Sequence, residues 1–267
     1  MSIITKTKGA LTYLTAEGIS VPHCFTTRLG GVSTGSLSSL NIGTSRGDDP
    51  ENVLENYAIL GNALGFDRED LVLSHQVHSD IVRAVDGKDR GAGLLAPALS
   101  ECDALVTNTP GLALVVFTAD CTPILFYDPV TGAVGAAHAG WRGTASSIAA
   151  KTVKAMEEHF GARPRDIRAA IGPNIGMCHF ETNADVPQAM TAAFGEAAQS
   201  YIRRKGSKYV LDLKQINAMI LRSAGVTHIE ISDACTVCES HRFWSHRVTG
   251  GDRGSQGAVI VCGEAAK

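Results

Sequence analysis

The chain has 267 residues, enough to bury a large core without covalent staples, and its 24 basic and 27 acidic side chains leave a formal charge of only -3. That balance excludes a global field that would favour nucleic acid or an anionic membrane surface, so any bound anion must be held locally. Seven cysteines scattered from Cys24 to Cys262, an N-terminus without a signal-peptide apolar run and the lack of any span-length apolar stretch point to a cytoplasmic chain with reduced thiols.

No repeat, charge block or low-complexity linker divides residues 1–267, which are expected to form one domain. From Phe25 to Val53, "FTTRLGGVSTGSLSSLNIGTSRGDDPENV" is rich in Gly, Ser, Thr and Asn. It suits a long loop that offers many backbone N–H groups, and it carries Arg28 and Arg46. Next, Val53, Leu54, Tyr57, Leu60 and Leu64 fall at helical spacing behind an acidic, proline-containing start, with Gly65 as the stop. "LVLSHQVHSDIVRAV" reads as two short strands or one bent strand, and its polar break holds His75 and His78.

"LALVVFT", "ILFYD" and "AVGAAHA" are short apolar runs that predict central strands, the last two joined by the tight turn "DPVTG". "TASSIAAKTVKAMEEHFG" predicts a helix with Ile148, Thr152, Val153, Met156 and Phe160 on one face, Thr144 as cap and Gly161 as stop. "ADVPQAMTAAFG" and "DLKQINAMILRSAG" predict two more helices, and "HIEISD" and "GAVIVC" two more strands. The class is mixed α/β (α+β) with mixed, largely antiparallel sheets.

If Asp128 and Ala133 close the turn, residue numbers across the hairpin sum to about 261. Cys121 then lies opposite Gly140 and His138 opposite Pro123, so a thiol and an imidazole meet at one end of the pair. A thiolate and a neutral imidazole are good zinc ligands, and a catalytic zinc site usually takes three protein ligands. The third is His75 or His78. "HAGWRGT" follows a strand and opens a helix, where backbone N–H groups and Arg142 suit an anion.

These residues resemble the bacterial purine nucleoside phosphorylases related to the laccase-domain, or multicopper polyphenol oxidase, proteins. The resemblance runs from "HCFTTRLGGVSTGSLSSLNIG" through "HQVHSD", "CDALVTNTPGLALVVFTADCTPILFYDP", "GAAHAGWRGTA" and "AAIGPNIGMCHFE" to "FWSHRVTGGDRG". It implies an α/β/β/α sandwich and a metal site made by His78, Cys121 and His138, which selects His78 over His75. The chain departs from the family at "SHRVTGG", where His246 and Val248 replace an aromatic and a second basic residue while Arg247 still fits.

The resemblance further implies phosphorolysis of adenosine, inosine and methylthioadenosine to base and pentose 1-phosphate, with hydrolytic deamination of adenosine. Phosphorolysis needs a phosphate cradle, for which Arg28, Arg46 and Arg142 are candidates by type and position. Deamination needs an activated water, which Zn2+ can supply. Asp120, beside Cys121, is a candidate catalytic neighbour, either supporting the site or shuttling a proton.

Nine histidines without a His-x-His pair do not supply a multicopper cluster, although a His2Cys set also has affinity for copper. Two rival readings use fewer residues. One is a cysteine hydrolase or amidase, with Cys121 as nucleophile and His138 as base, for which the family resemblance implies an editing role on peptidoglycan precursors. The other is a non-enzymatic zinc module built on Cys235, Cys238 and His241 in "CTVCESH".

Overall fold

Along the strand Ala113–Thr118, Ala113 and Val115 pack with Val53, Tyr57, Leu60 and Leu64 of the helix Pro50–Leu64, whereas Leu114 and Val116 pack with Leu105, Leu125, Val134 and Ala136 of a second sheet. Period-two alternation thus gives this strand two apolar faces, one for each neighbouring layer. The computed structural model describes residues 2–263.

The first sheet orders its strands Ile3–Lys8, Leu11–Ala16, His23–Thr26, Gln256–Val261, Ala113–Thr118 and Leu71–Leu73. The second orders them His228–Ile231, Arg168–Ile171, Thr122–Tyr127, Val134–Ala139, Ala104–Thr107 and Val82–Ala84. Parallel pairing is confined to the marginal pairs, so both sheets are largely antiparallel. The outer face of the second sheet is covered by Ile148–Phe160 and Leu213–Ser223, which complete the α/β/β/α sandwich. A small three-stranded sheet, Glu181–Thr182, Lys208–Leu211 and Ile202–Lys205, is hydrogen-bonded separately and contributes Leu211 to the core shared by the second sheet and its helices.

Local signals account for the helix ends. Asp49 caps Pro50–Leu64 by accepting from the Glu51 N–H at 3.0 Å, and Gly65 stops it at φ 80°. The segment expected as one helix from Thr144 is instead divided into Trp141–Ala145 and Ile148–Phe160, with Ser147 at φ 60° between them. Thr144 is therefore no cap. It lies inside the short helix, where its buried hydroxyl accepts from the Asn217 side-chain amide at 3.0 Å, so a tertiary hydrogen bond outweighs the local capping preference. Among the described residues no helix is long and apolar enough to cross a membrane.

Candidate metal centre and active site

The hairpin has the register expected from its turn. Asp128 N–H donates to Ala133 O at 2.9 Å, and Pro123 lies opposite His138. Cys121 immediately precedes the strand Thr122–Tyr127, after Asp120 has turned the chain at φ 86°. That left-handed corner is held by both carboxylate oxygens of Asp120: one accepts from Thr236 Oγ1 and the other from the Arg247 N–H, each at 2.6 Å.

His78 sits at φ 61° in the loop between Leu71–Leu73 and Val82–Ala84. The loop wraps a buried acid. Asp103 accepts the N–H groups of Val77, His78 and Ser79 at 3.1, 3.1 and 2.7 Å, and the Ser79 hydroxyl at 2.7 Å. It also accepts Nδ1–H of His138 at 2.7 Å, which leaves Nε2 of His138 free to bind a metal. Burial pushes the Asp103 carboxyl up, but the hydrogen bonds from His138 and Ser79 outweigh it and bring it down to about 2.

The ligand atoms of His78, Cys121 and His138 all lie within 4.8 Å of one another, with Cys121 Sγ 4.0 Å from His78 Nε2. The two imidazoles stand edge to face, their centroids 4.9 Å apart at 83°. Gly140 makes room for them. A Cβ there would come to 3.1 Å from His78 Cδ2 and 3.3 Å from Cys121 Sγ, so only hydrogen fits beneath the converging ligands without displacement.

Burial disfavours ionisation of the Cys121 thiol, yet the charge and hydrogen bonds of His138, then those of His78, bring it down to about 6. Burial likewise opposes charge on His138, but the Cys121 thiolate and the Asp103 carboxylate raise it to about 9. Each ion stabilises the other. The donor set, two imidazoles and one readily ionised thiol, fits zinc or copper. His75 is not among the converging residues, and its exposed ring bonds the Leu99 carbonyl at 3.0 Å through Nδ1.

The three anticipated arginines are placed differently from one another. Arg28 lies 3.9 Å over the Trp244 ring and donates to the carbonyls of Ser38 and Ser240 at 3.0 and 3.3 Å, so its fork is largely engaged. Arg142 is exposed and stacks 4.3 Å from the centre of its neighbour Trp141. Arg46 is exposed, with Nε on Ser255 Oγ at 3.2 Å.

Two functional candidates escaped the sequence reading and a third was anticipated only in part. Asp103 is one, and Arg253 another. Arg253 is only 9% exposed, its Nε has no partner, and burial followed by the nearby charge of Arg46 lowers its guanidinium to about 10. Asp120 and Cys121 act on it in the opposite sense. The adjacent charges of Asp252 and Arg253 in the Gly-rich run before an apolar strand were the available signal. The third is a second cluster: Cys235 and Cys238 meet Cys178 and His179, and His241 is not a member, so the expected C-x2-C-x2-H set does not form.

The family model described as "Multi-copper polyphenol oxidoreductase laccase" matches residues 22–263. A protein of Deinococcus radiodurans named purine nucleoside phosphorylase is 42% identical over 95% of this chain and 94% of its own. The purine nucleoside phosphorylase YfiH of Escherichia coli is 37% identical over 85% of this chain and 88% of its own. The crystal structure of YlmD from Geobacillus stearothermophilus superposes with a TM-score of 0.91 at 36% identity, covering 98% of this chain and all of that one. With this match of sequence and fold, the chain belongs to the laccase-domain family that includes YfiH and YlmD.

Proposed function

We propose that the protein is a zinc-dependent purine nucleoside phosphorylase, cleaving adenosine, inosine and methylthioadenosine with phosphate and also deaminating adenosine, in the cytoplasm. The observation that carries this reading is the convergence of His78, Cys121 and His138 close to Arg253, a buried guanidinium with an unmatched donor. Relatives named purine nucleoside phosphorylase support the reaction class.

His78, Cys121 and His138 would hold Zn2+, with copper as the competing ion. Held by these three residues, zinc would supply Lewis acidity for activating the water that deamination requires. Asp103 fixes the His138 tautomer through Nδ1, and Asp120 positions Cys121, its two oxygens being taken up by Thr236 and Arg247. Arg253 and Arg46 are assigned to phosphate, whose charge would match the spare donor of the one and the exposed head of the other. Arg28 and Arg142 are less suited, the first already bonded to two carbonyls and the second stacked on Trp141.

The ion pair of Cys121 and His138 also supports the cysteine-hydrolase reading. The two separate in one experiment. Adenosine is incubated with purified protein with and without phosphate, and products are identified chromatographically for wild type and His78→Ala. Adenine with pentose 1-phosphate only when phosphate is present, and inosine, both falling with zinc content in His78→Ala, is the expected outcome. Absence of turnover on any purine nucleoside, with a thiol-directed amide analogue trapped on Cys121, would transfer the assignment to the hydrolase.

A further inference from the structure

The strands Arg168–Ile171 and His228–Ile231 run parallel as neighbours, so the segments leaving them emerge at the same end of the sheet. One brings Cys178 and His179, the other Cys235 and Cys238. The segments are stitched together before the cluster begins: Thr236 N–H donates to Asn174 O at 3.0 Å, and Gly176 N–H donates to Cys235 Sγ at 3.2 Å.

Four soft donors then converge. His179 Nδ1 lies 3.2 Å from Cys178 Sγ, 3.4 Å from Cys238 Sγ and 3.7 Å from Cys235 Sγ, and Cys178 Sγ lies 3.6 Å from Cys238 Sγ. Tetrahedral zinc, with Zn–S of about 2.3 Å and Zn–N of about 2.0 Å, separates its ligands by about 3.8 Å for sulfur pairs and about 3.6 Å for sulfur and nitrogen. The four distances lie within about 0.4 Å of those separations. A disulfide between Cys178 and Cys238 would need the sulfurs at about 2.0 Å.

We propose that Cys178, His179, Cys235 and Cys238 bind a second zinc ion whose role is structural. Three thiolates and an imidazole would select zinc over harder divalent cations, and four protein ligands would leave no position for water or substrate. The ion would clasp the two segments that hold the Asp120 corner. Thr236, next to Cys235, bonds the Asp120 carboxylate, the Ile175 N–H donates to Asp120 O at 2.9 Å, and Arg247 Nη1 donates to His179 O at 2.7 Å. Metal at the clasp therefore supports the turn that presents Cys121. The proposal stands independently of the reaction assigned to the first site.

The test is metal content and cobalt spectroscopy on the full chain. Wild type purified with zinc should hold two ions, the double variant Cys178→Ser/Cys238→Ser one, and His78→Ala should keep the clasp ion. Both serine substitutions fall at exposed positions and leave the apolar core unchanged. Replacement of zinc by Co2+ in His78→Ala should give intense thiolate-to-cobalt charge transfer, lost when the two serines are added. Because His78→Ala retains all four clasp ligands, it tests the clasp even if the double variant does not fold. Absence of that charge transfer in His78→Ala, zinc content unchanged by the two serines, or a Cys178–Cys238 disulfide in freshly purified protein handled without added oxidant or reductant would overturn the proposal.

Discussion

Asp103→Asn should weaken metal binding by acting on a ring it does not replace. Oδ1 of Asp103 takes His78 N–H and His138 Nδ1–H, and Oδ2 takes the Val77 and Ser79 N–H groups and the Ser79 hydroxyl. An asparagine keeps one acceptor oxygen. With its amide NH2 toward Val77 and Ser79 it strands two backbone donors, at about 1–3 kcal/mol each. Turned the other way it strands only His78 N–H, but its NH2 then faces His138. That second orientation is the cheaper, and it obliges His138 Nδ1 to accept and Nε2 to carry the proton. A protonated Nε2 cannot bind metal.

The loss expected for such a supporting group is about 10–100-fold in zinc affinity. At about 1.4 kcal/mol per tenfold, this is no more than about 3 kcal/mol. Competition against a chromophoric chelator measures it, in the Cys178→Ser/Cys238→Ser background so that the second cluster does not contribute, with thermal unfolding as a check on folding. Zinc affinity within about twofold of the parent in a folded variant would refute the tautomer argument.

Gly140→Ala tests the space beneath the ligands: φ of -66° accommodates alanine, so the cost comes from the new Cβ against His78 and Cys121 alone. It should be about 1–3 kcal/mol, read as weaker zinc binding in the same competition assay with little change in melting temperature of the zinc-free protein. Arg253→Lys keeps the charge but loses the fork, and loss of a charge-assisted hydrogen bond worth about 1.5–3 kcal/mol should raise the KM for phosphate about ten- to hundredfold with the nucleoside KM nearly unchanged. Equal changes in both KM values would remove Arg253 from phosphate binding. His23 supplies a pH test away from the site: burial lowers its pKa below 6.5, and its Nε2 accepts the Ala16 N–H at 2.8 Å in the neutral form. The unfolded chain therefore takes up the proton first, so stability is fully present above about pH 6.5 and falls as pH drops through the window below it. Melting temperature against pH should show that loss in wild type and a flatter profile in His23→Gln; parallel profiles would contradict it.

Short-range regularities made much of this molecule legible. The helix Pro50–Leu64 announces itself by spacing, proline and Gly65, and the register that sets His138 opposite Pro123 follows from turn length because the hairpin strands are neighbours in the chain. Motif resemblance supplied His78, which spacing had left level with His75. Tertiary structure decided what distant segments do to one another. Asp103 reaches His138 because Ala104–Thr107 pairs with Val134–Ala139, with Ala104 opposite Ala137, and no local pattern encodes a pairing across that separation. Arg253 depends on the meeting of its Gly-rich segment with the loop of Arg46. "CTVCESH" suggested its own histidine as ligand, yet parallel pairing of Arg168–Ile171 with His228–Ile231 carries in Cys178 and His179 from some 57 residues earlier. Hydrophobic periodicity and turn chemistry act within a few residues and survive in a linear reading, whereas a site assembled from four segments exists only once the sheets have closed over their shared core.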